Sequence, residues 1–139
     1  MTWPAAALLA AALAAAGAKT PVEREFYDAA VQYGAEVGTY AYTIGTCEAY
    51  LAKGDADRAV ADITGAGDPG AGDIARSLHQ VWSSMYAKGR LAAAEEPMTS
   101  EACRLVLSET VSRMKPAATR FSAAMKAFEA ETTNRPGKQ

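Results

Sequence analysis

The residues of this 139-residue chain able to do chemistry beyond packing are few: one histidine, two cysteines, sixteen acids and six tyrosines. A single histidine, His79, excludes a metal site built on two imidazoles. With both cysteines bridged it also leaves no support for a Ser-His-Asp or Cys-His arrangement, which needs a base beside a free nucleophile. A haem held by His79 with Met85, Met114 or Met125 suits a helical bundle. Nothing in the spacing fixes such a pair, because methionine is also an ordinary filler of apolar cores. Glu95-Glu96 precedes Pro97 with no partner acid at a defined spacing, so it reads as a solvated helix end rather than a catalytic carboxylate pair. The expectation is a non-enzymatic protein with no catalytic residues, no metal and no cofactor.

Two acidic motifs fail on inspection. Gly65-Ala66-Gly67-Asp68-Pro69-Gly70 matches G-x-G-x-x-G in letters, yet no strand precedes it, and Asp68 and Asp73 would repel a phosphate. A calcium loop opened at Asp55 places Val60 where a glycine is needed and Ala66 where the bidentate glutamate is needed. These acids, with Asp57 and Asp62, read as helix caps and solvated loop charges. A net charge of −2 argues against nucleic acid as a partner, since phosphate-backbone binding needs a concentrated basic footprint.

The first charged residue is Lys19. Before it, Pro4 to Ala18 form an Ala/Leu run closing on Ala16-Gly17-Ala18, small residues at the positions a signal peptidase reads. Residues 1–18 are therefore expected to be a secretory signal peptide, although Met1-Thr2-Trp3 lacks the usual basic side chain. The run falls short of the ~20 apolar residues a bilayer span needs, so no stable membrane span is expected. Export to the periplasm or the medium makes a disulfide between Cys47 and Cys103 the expected state of the pair.

The elements that must position these residues are helical throughout. Thr20-Pro21-Val22-Glu23 joins an N-cap hydroxyl, a proline at the first helical position and a glutamate at the third. From there Phe26, Ala30, Tyr33, Val37, Tyr40, Ile44, Cys47 and Leu51 follow a 4-3 spacing, predicting a helix that reaches Lys53 and stops at Gly54. A short helix is expected from Asp55 to Ile63, then a Gly/Asp/Pro turn over Gly65–Gly72. The third helix opens at Asp73, or at Asp68 with Pro69, carries Ile74, Leu78, Val81, Met85 and Ala92, and ends near Glu95. Thr99 or Ser100 caps the last helix, whose stripe is Cys103, Leu107, Thr110, Met114, Ala117, Phe121, Ala124 and Phe128. Pro116 is expected to kink it, and residues 134–139 to fray.

No strand-like alternation occurs, so the fold class is all-α: a small antiparallel helical bundle of two long and two shorter helices with one disulfide, forming a single domain over residues 19–139. A bridge between Cys47 and Cys103 sets the long helices antiparallel with facing residue numbers totalling about 150. Phe26 then faces Ala124, Ala30 faces Phe121 and Tyr33 faces Ala117, large against small. The same register brings Glu48 near Arg104, Glu36 near Arg113 or Lys115, and Asp28 near Arg120. Gly34, Gly38, Ala41 and Gly45 form a second, small-residue stripe on the first helix. Either the third helix packs closely into it with Trp82 and Met85, or it stays open for an apolar ligand or a partner helix.

Through Asp73 the chain holds ten acids and four bases, and afterwards six acids and ten bases. Such a dipolar surface orients a charged partner. Tyr27, Tyr42 and Tyr50 lie off the core stripe and, with Trp82 and Tyr86, either form an exposed aromatic patch for a protein partner in the cell envelope or are covered by the second and third helices. The function expected is an exported interaction module: an inhibitor, immunity, chaperone-like or accessory protein. The alternative is a bundle binding a small apolar ligand or haem between helices.

Overall fold

The computed structural model describes Gly17, residues 20–64 and residues 72–134. The expected signal peptide, apart from Gly17, most of the Gly65–Gly72 turn and the tail beyond Asn134 lie outside the described residues. Among the described residues there are four helices, α1 (Pro21–Cys47), α2 (Asp55–Thr64), α3 (Gly72–Glu95) and α4 (Ser100–Asn134), and a 3-10 turn over Glu48–Tyr50. No strand occurs among the described residues. The chain is an all-α bundle with one disulfide, and its two long helices pack on each other.

The helix starts follow from local capping. Thr20 is the N-cap of α1, its hydroxyl accepting from the Glu23 amide at 3.1 Å, with Pro21 next in the chain. The same hydroxyl donates to Glu131 Oε1 at 2.6 Å, so the cap of α1 is also a link to the far end of α4. Thr99 caps α4 by accepting from the Ala102 amide at 3.1 Å. Helix α4 continues through Pro116, an exposed position where the ring projects away from the core.

Helix α1 is shorter than its pattern implied. Cys47, at φ −108° and ψ 7°, leaves the helical region, a 3-10 turn follows, and Leu51 is extended at ψ 153°. The expected helical end at Lys53 is therefore corrected. The disulfide holds Cys47 against α4, and the chain must turn there to start α2. Leu51 keeps its inward place because the turn folds it over the helix end, where it packs against the core. Gly54, at φ 87°, supplies the left-handed residue that lets α2 begin.

Helix α1 is the centre of the molecule. It packs against α3 on one side and α4 on the other, while α2 rests on α3. Residues 43–47 are buried without interruption, more than one full turn, so α1 is enclosed on all sides at its stapled end. The expected single stripe is therefore incomplete: Ala29 and Ala41 are fully buried, whereas Ala30 and Tyr40 are half-buried.

The antiparallel register with α4 is as expected, but its packing is ring on ring. Phe121 stacks between Phe26 and Tyr33, with centroids at 5.8 and 5.2 Å, and Phe128 stacks on Phe26 at 4.6 Å. Ala117 and Ala124 are buried between these layers. The ion pairs need two corrections. Arg113 meets Glu36 at 3.7 Å as expected, but Arg120 grips Glu25 with two nitrogens, at 2.8 and 2.6 Å, and Gln32 with a third, at 2.6 Å. Asp28 only adds its field to that guanidinium. Glu48 pairs with Arg90 of α3 at 3.3 Å, not with Arg104, because the end of α1 turns that side chain toward α3.

The small-residue stripe is closed by α3 at Gly45. A methyl group there would sit 2.3 Å from the Tyr86 carbonyl oxygen, and one at Gly89 would sit 2.2 Å from the Tyr42 carbonyl oxygen. The two helices thus cross backbone against backbone at Gly45 and Gly89. Trp82 and Met85 flank the crossing as buried core residues, and Gly89 rather than Ala92 continues the stripe of α3.

Candidate functional site

The disulfide joins Cys47 and Cys103 with Cα atoms 5.6 Å apart, and both residues are almost completely buried. A bridge with no exposed sulfur is a staple rather than an exchange centre, because exchange needs thiolate access.

Of the five aromatic residues singled out from the sequence, Trp82 and Tyr86 are stacked on each other, while Tyr27 lies with Phe26 and Phe128. Tyr27 packs against Phe26 at 5.2 Å, beside Phe128, toward the opposite end of α1 from the disulfide. Trp82 is only 4% exposed, so its place in an exposed patch is corrected. It stands edge-on to Tyr40 at 5.8 Å and stacks with Tyr86 at 6.5 Å. Tyr42 is half-buried beside the Gly89 crossing. The Tyr86 hydroxyl donates to the Glu48 carboxylate and its ring lies under the Arg90 guanidinium at 5.9 Å. Burial, then the hydrogen bond to Glu48, pushes the Tyr86 phenol up to about 12. Tyr50 is exposed, yet its hydroxyl donates to the Met98 carbonyl at 2.7 Å and ties the α3–α4 connection to the end of α1. These hydroxyls act as struts.

The acids resolve similarly. Asp55 accepts from the Ala52 amide at 2.9 Å and pairs with Arg58, closing the turn into α2. Asp73 pairs with Arg76 in the first turn of α3. Glu95 and Glu96 are exposed at the end of α3. His79 is exposed on α3, 3.4 Å from the Ser83 hydroxyl, and Met85 is fully buried.

A concave site lies elsewhere, in an open groove of about 610 Å³ between α1, α2 and α4. Its floor is Tyr40 and Ile44 of α1 with Leu51 of the connection. One wall is α2, through Asp55, Arg58, Ala59 and Asp62. The other is α4, through Leu107, Ser108, Val111, Ser112 and Lys115. The groove exists because α2 rests on α3 and leaves the side facing α4 uncovered. Burial, then the fields of Asp55 and Asp62, raise the Tyr40 phenol and keep it a hydrogen-bond donor. The opening that the sequence allowed, as the alternative to close packing by the third helix, lay between α1 and α3 instead. The available signal was the 4-spaced pair Leu107/Val111 beside the small Ser108/Ser112 pair, which gives α4 a second, partly apolar face.

Comparison of the chain with protein-family models, with curated proteins and with solved structures gives no match. No described helix is long and apolar enough to cross a membrane.

Proposed function

We propose that this protein is an exported, non-enzymatic helical module that binds a protein partner of the cell envelope through the groove between α1, α2 and α4. The observation carrying this reading is the groove itself: an apolar floor with charged rims, open along one side of a stapled bundle. A buried disulfide is compatible with the oxidising space reached through the Ala/Leu leader, where a small domain gains most from covalent constraint.

The test is comparative capture from an envelope extract with the wild-type protein and with Ser112→Trp, which fills the groove from an exposed position. A partner retained by the wild type and lost by Ser112→Trp supports the reading. Identical recovery from both overturns it. Export is checked separately by sequencing the amino terminus of protein recovered from the producing cells, which should begin at Lys19.

The volume of the groove also suits a small apolar molecule, since such sites span roughly 300–1,000 Å³. Native mass spectrometry separates the two readings, as a retained small-molecule adduct displaced by no protein would favour the second. His79 lies on α3, which contributes nothing to the lining of this groove, so this second reading is of a small apolar molecule rather than a histidine-held haem.

A further inference from the structure

The shape of the groove specifies more than a concave surface. Each of its three sides is a ridge of residues spaced one helical turn apart: Tyr40/Ile44, Asp55/Ala59 and Leu107/Val111. Ridges of this spacing accept the ridge of another helix between them. From Leu107 to Lys115 the α4 wall spans nine residues, about 12 Å along the axis, which is room for about two turns of a partner helix. Ser108 and Ser112 keep that wall low, so a backbone can approach.

The charges on the two rims differ. Arg58 is held by Asp55 within α2 and cancels it. Asp62 on one wall and Lys115 on the other are exposed and make no ion pair among the described residues. An acid faces the groove from one side and a base from the other.

We infer that the occupant is an amphipathic helix of the partner protein, with an apolar stripe, a basic residue on the flank facing Asp62 and an acidic residue on the flank facing Lys115. This rests on the partner-binding reading above. The apolar stripe supplies burial, and the asymmetric flanks fix the direction in which the helix lies, because reversing it would set like charges together.

The probe is a synthetic end-capped peptide of about twelve residues, long enough for three turns, with a Leu/Ala stripe, a Lys flank and a Glu flank. Its binding to the whole disulfide-bonded protein is followed by fluorescence anisotropy and by amide chemical-shift mapping. Asp62→Lys and Lys115→Glu should each weaken binding about five- to tenfold, since either makes both rims alike. The double exchange should restore affinity to within about twofold, with the peptide turned end for end. Loss of binding in Ser112→Trp together with unchanged affinity in the charge variants overturns this inference and leaves the groove reading standing. Failure of the peptide to bind the wild type, or undiminished binding to Ser112→Trp, likewise overturns this inference, while the capture comparison decides the groove reading.

Discussion

Gly45 and Gly89 meet backbone to backbone, so any side chain there must push two helices apart. Gly45→Ala or Gly89→Ala should lower unfolding free energy by about 2–3 kcal/mol in denaturant titration, because the obstacle is a carbonyl group rather than a yielding side chain. Gly34→Ala should behave oppositely, stabilising by about 0.5–1 kcal/mol, since its added methyl meets nothing within 4 Å and the helix gains propensity. That contrast was invisible in the chain, where both glycines belong to one small-residue stripe. The phenol of Tyr86 makes a second residue-level case. Its folded-state value of about 12 lies above the ordinary phenol value of 10.0, so the stability it confers is intact below pH 10.0 and is lost as pH rises through about 12. Tyr86→Phe should flatten the alkaline fall in stability, and phenolate absorbance of the wild type should show one tyrosine ionising last.

Helix α1 shows how an element departs from its own pattern. The 4-3 spacing ran through Cys47 to Leu51, and both residues are inward-facing, yet the helix stops between them. Periodicity reports which side a residue faces, and a chain folded back over a helix end can satisfy the same side without continuing the helix. The staple at that end is an element-level constraint on α1 and α4. With the two cysteines 56 positions apart in sequence, replacing both Cys47 and Cys103 by alanine should cost about 4 kcal/mol in the chain-entropy account. Because both residues are buried, reduction should proceed no faster than the local opening of this end. A thiol-alkylation time course under mild reductant checks this, and immediate labelling of folded protein would contradict it.

The whole molecule is held in register by contacts distributed along the full length of the α1–α4 pair: Thr20 with Glu131, Glu25 with Arg120, Glu36 with Arg113, and the disulfide. Exposed pairs of this kind contribute little singly, and their common effect is to disfavour other registers. The Arg120 hydrogen bonds hold the Glu25 carboxyl below 4.5, so its contribution is present above that pH and disappears as pH falls through the folded value. Glu25→Gln should make stability less steeply dependent on pH on the acid side, measured by denaturant titration at a series of pH values. The helical class, the capped starts of α1 and α4, the cysteine pairing and the antiparallel register were all legible in the chain, because each follows from local hydrogen bonding or from the one-dimensional spacing of apolar residues. Which way α2 leans, which glycine α3 presses against and where the open groove lies depended on how α3 and α4 divide the surface of α1 and on where α2 settles against α3. Close packing settles that competition among all of them at once, and no single helix records it in its own residue pattern.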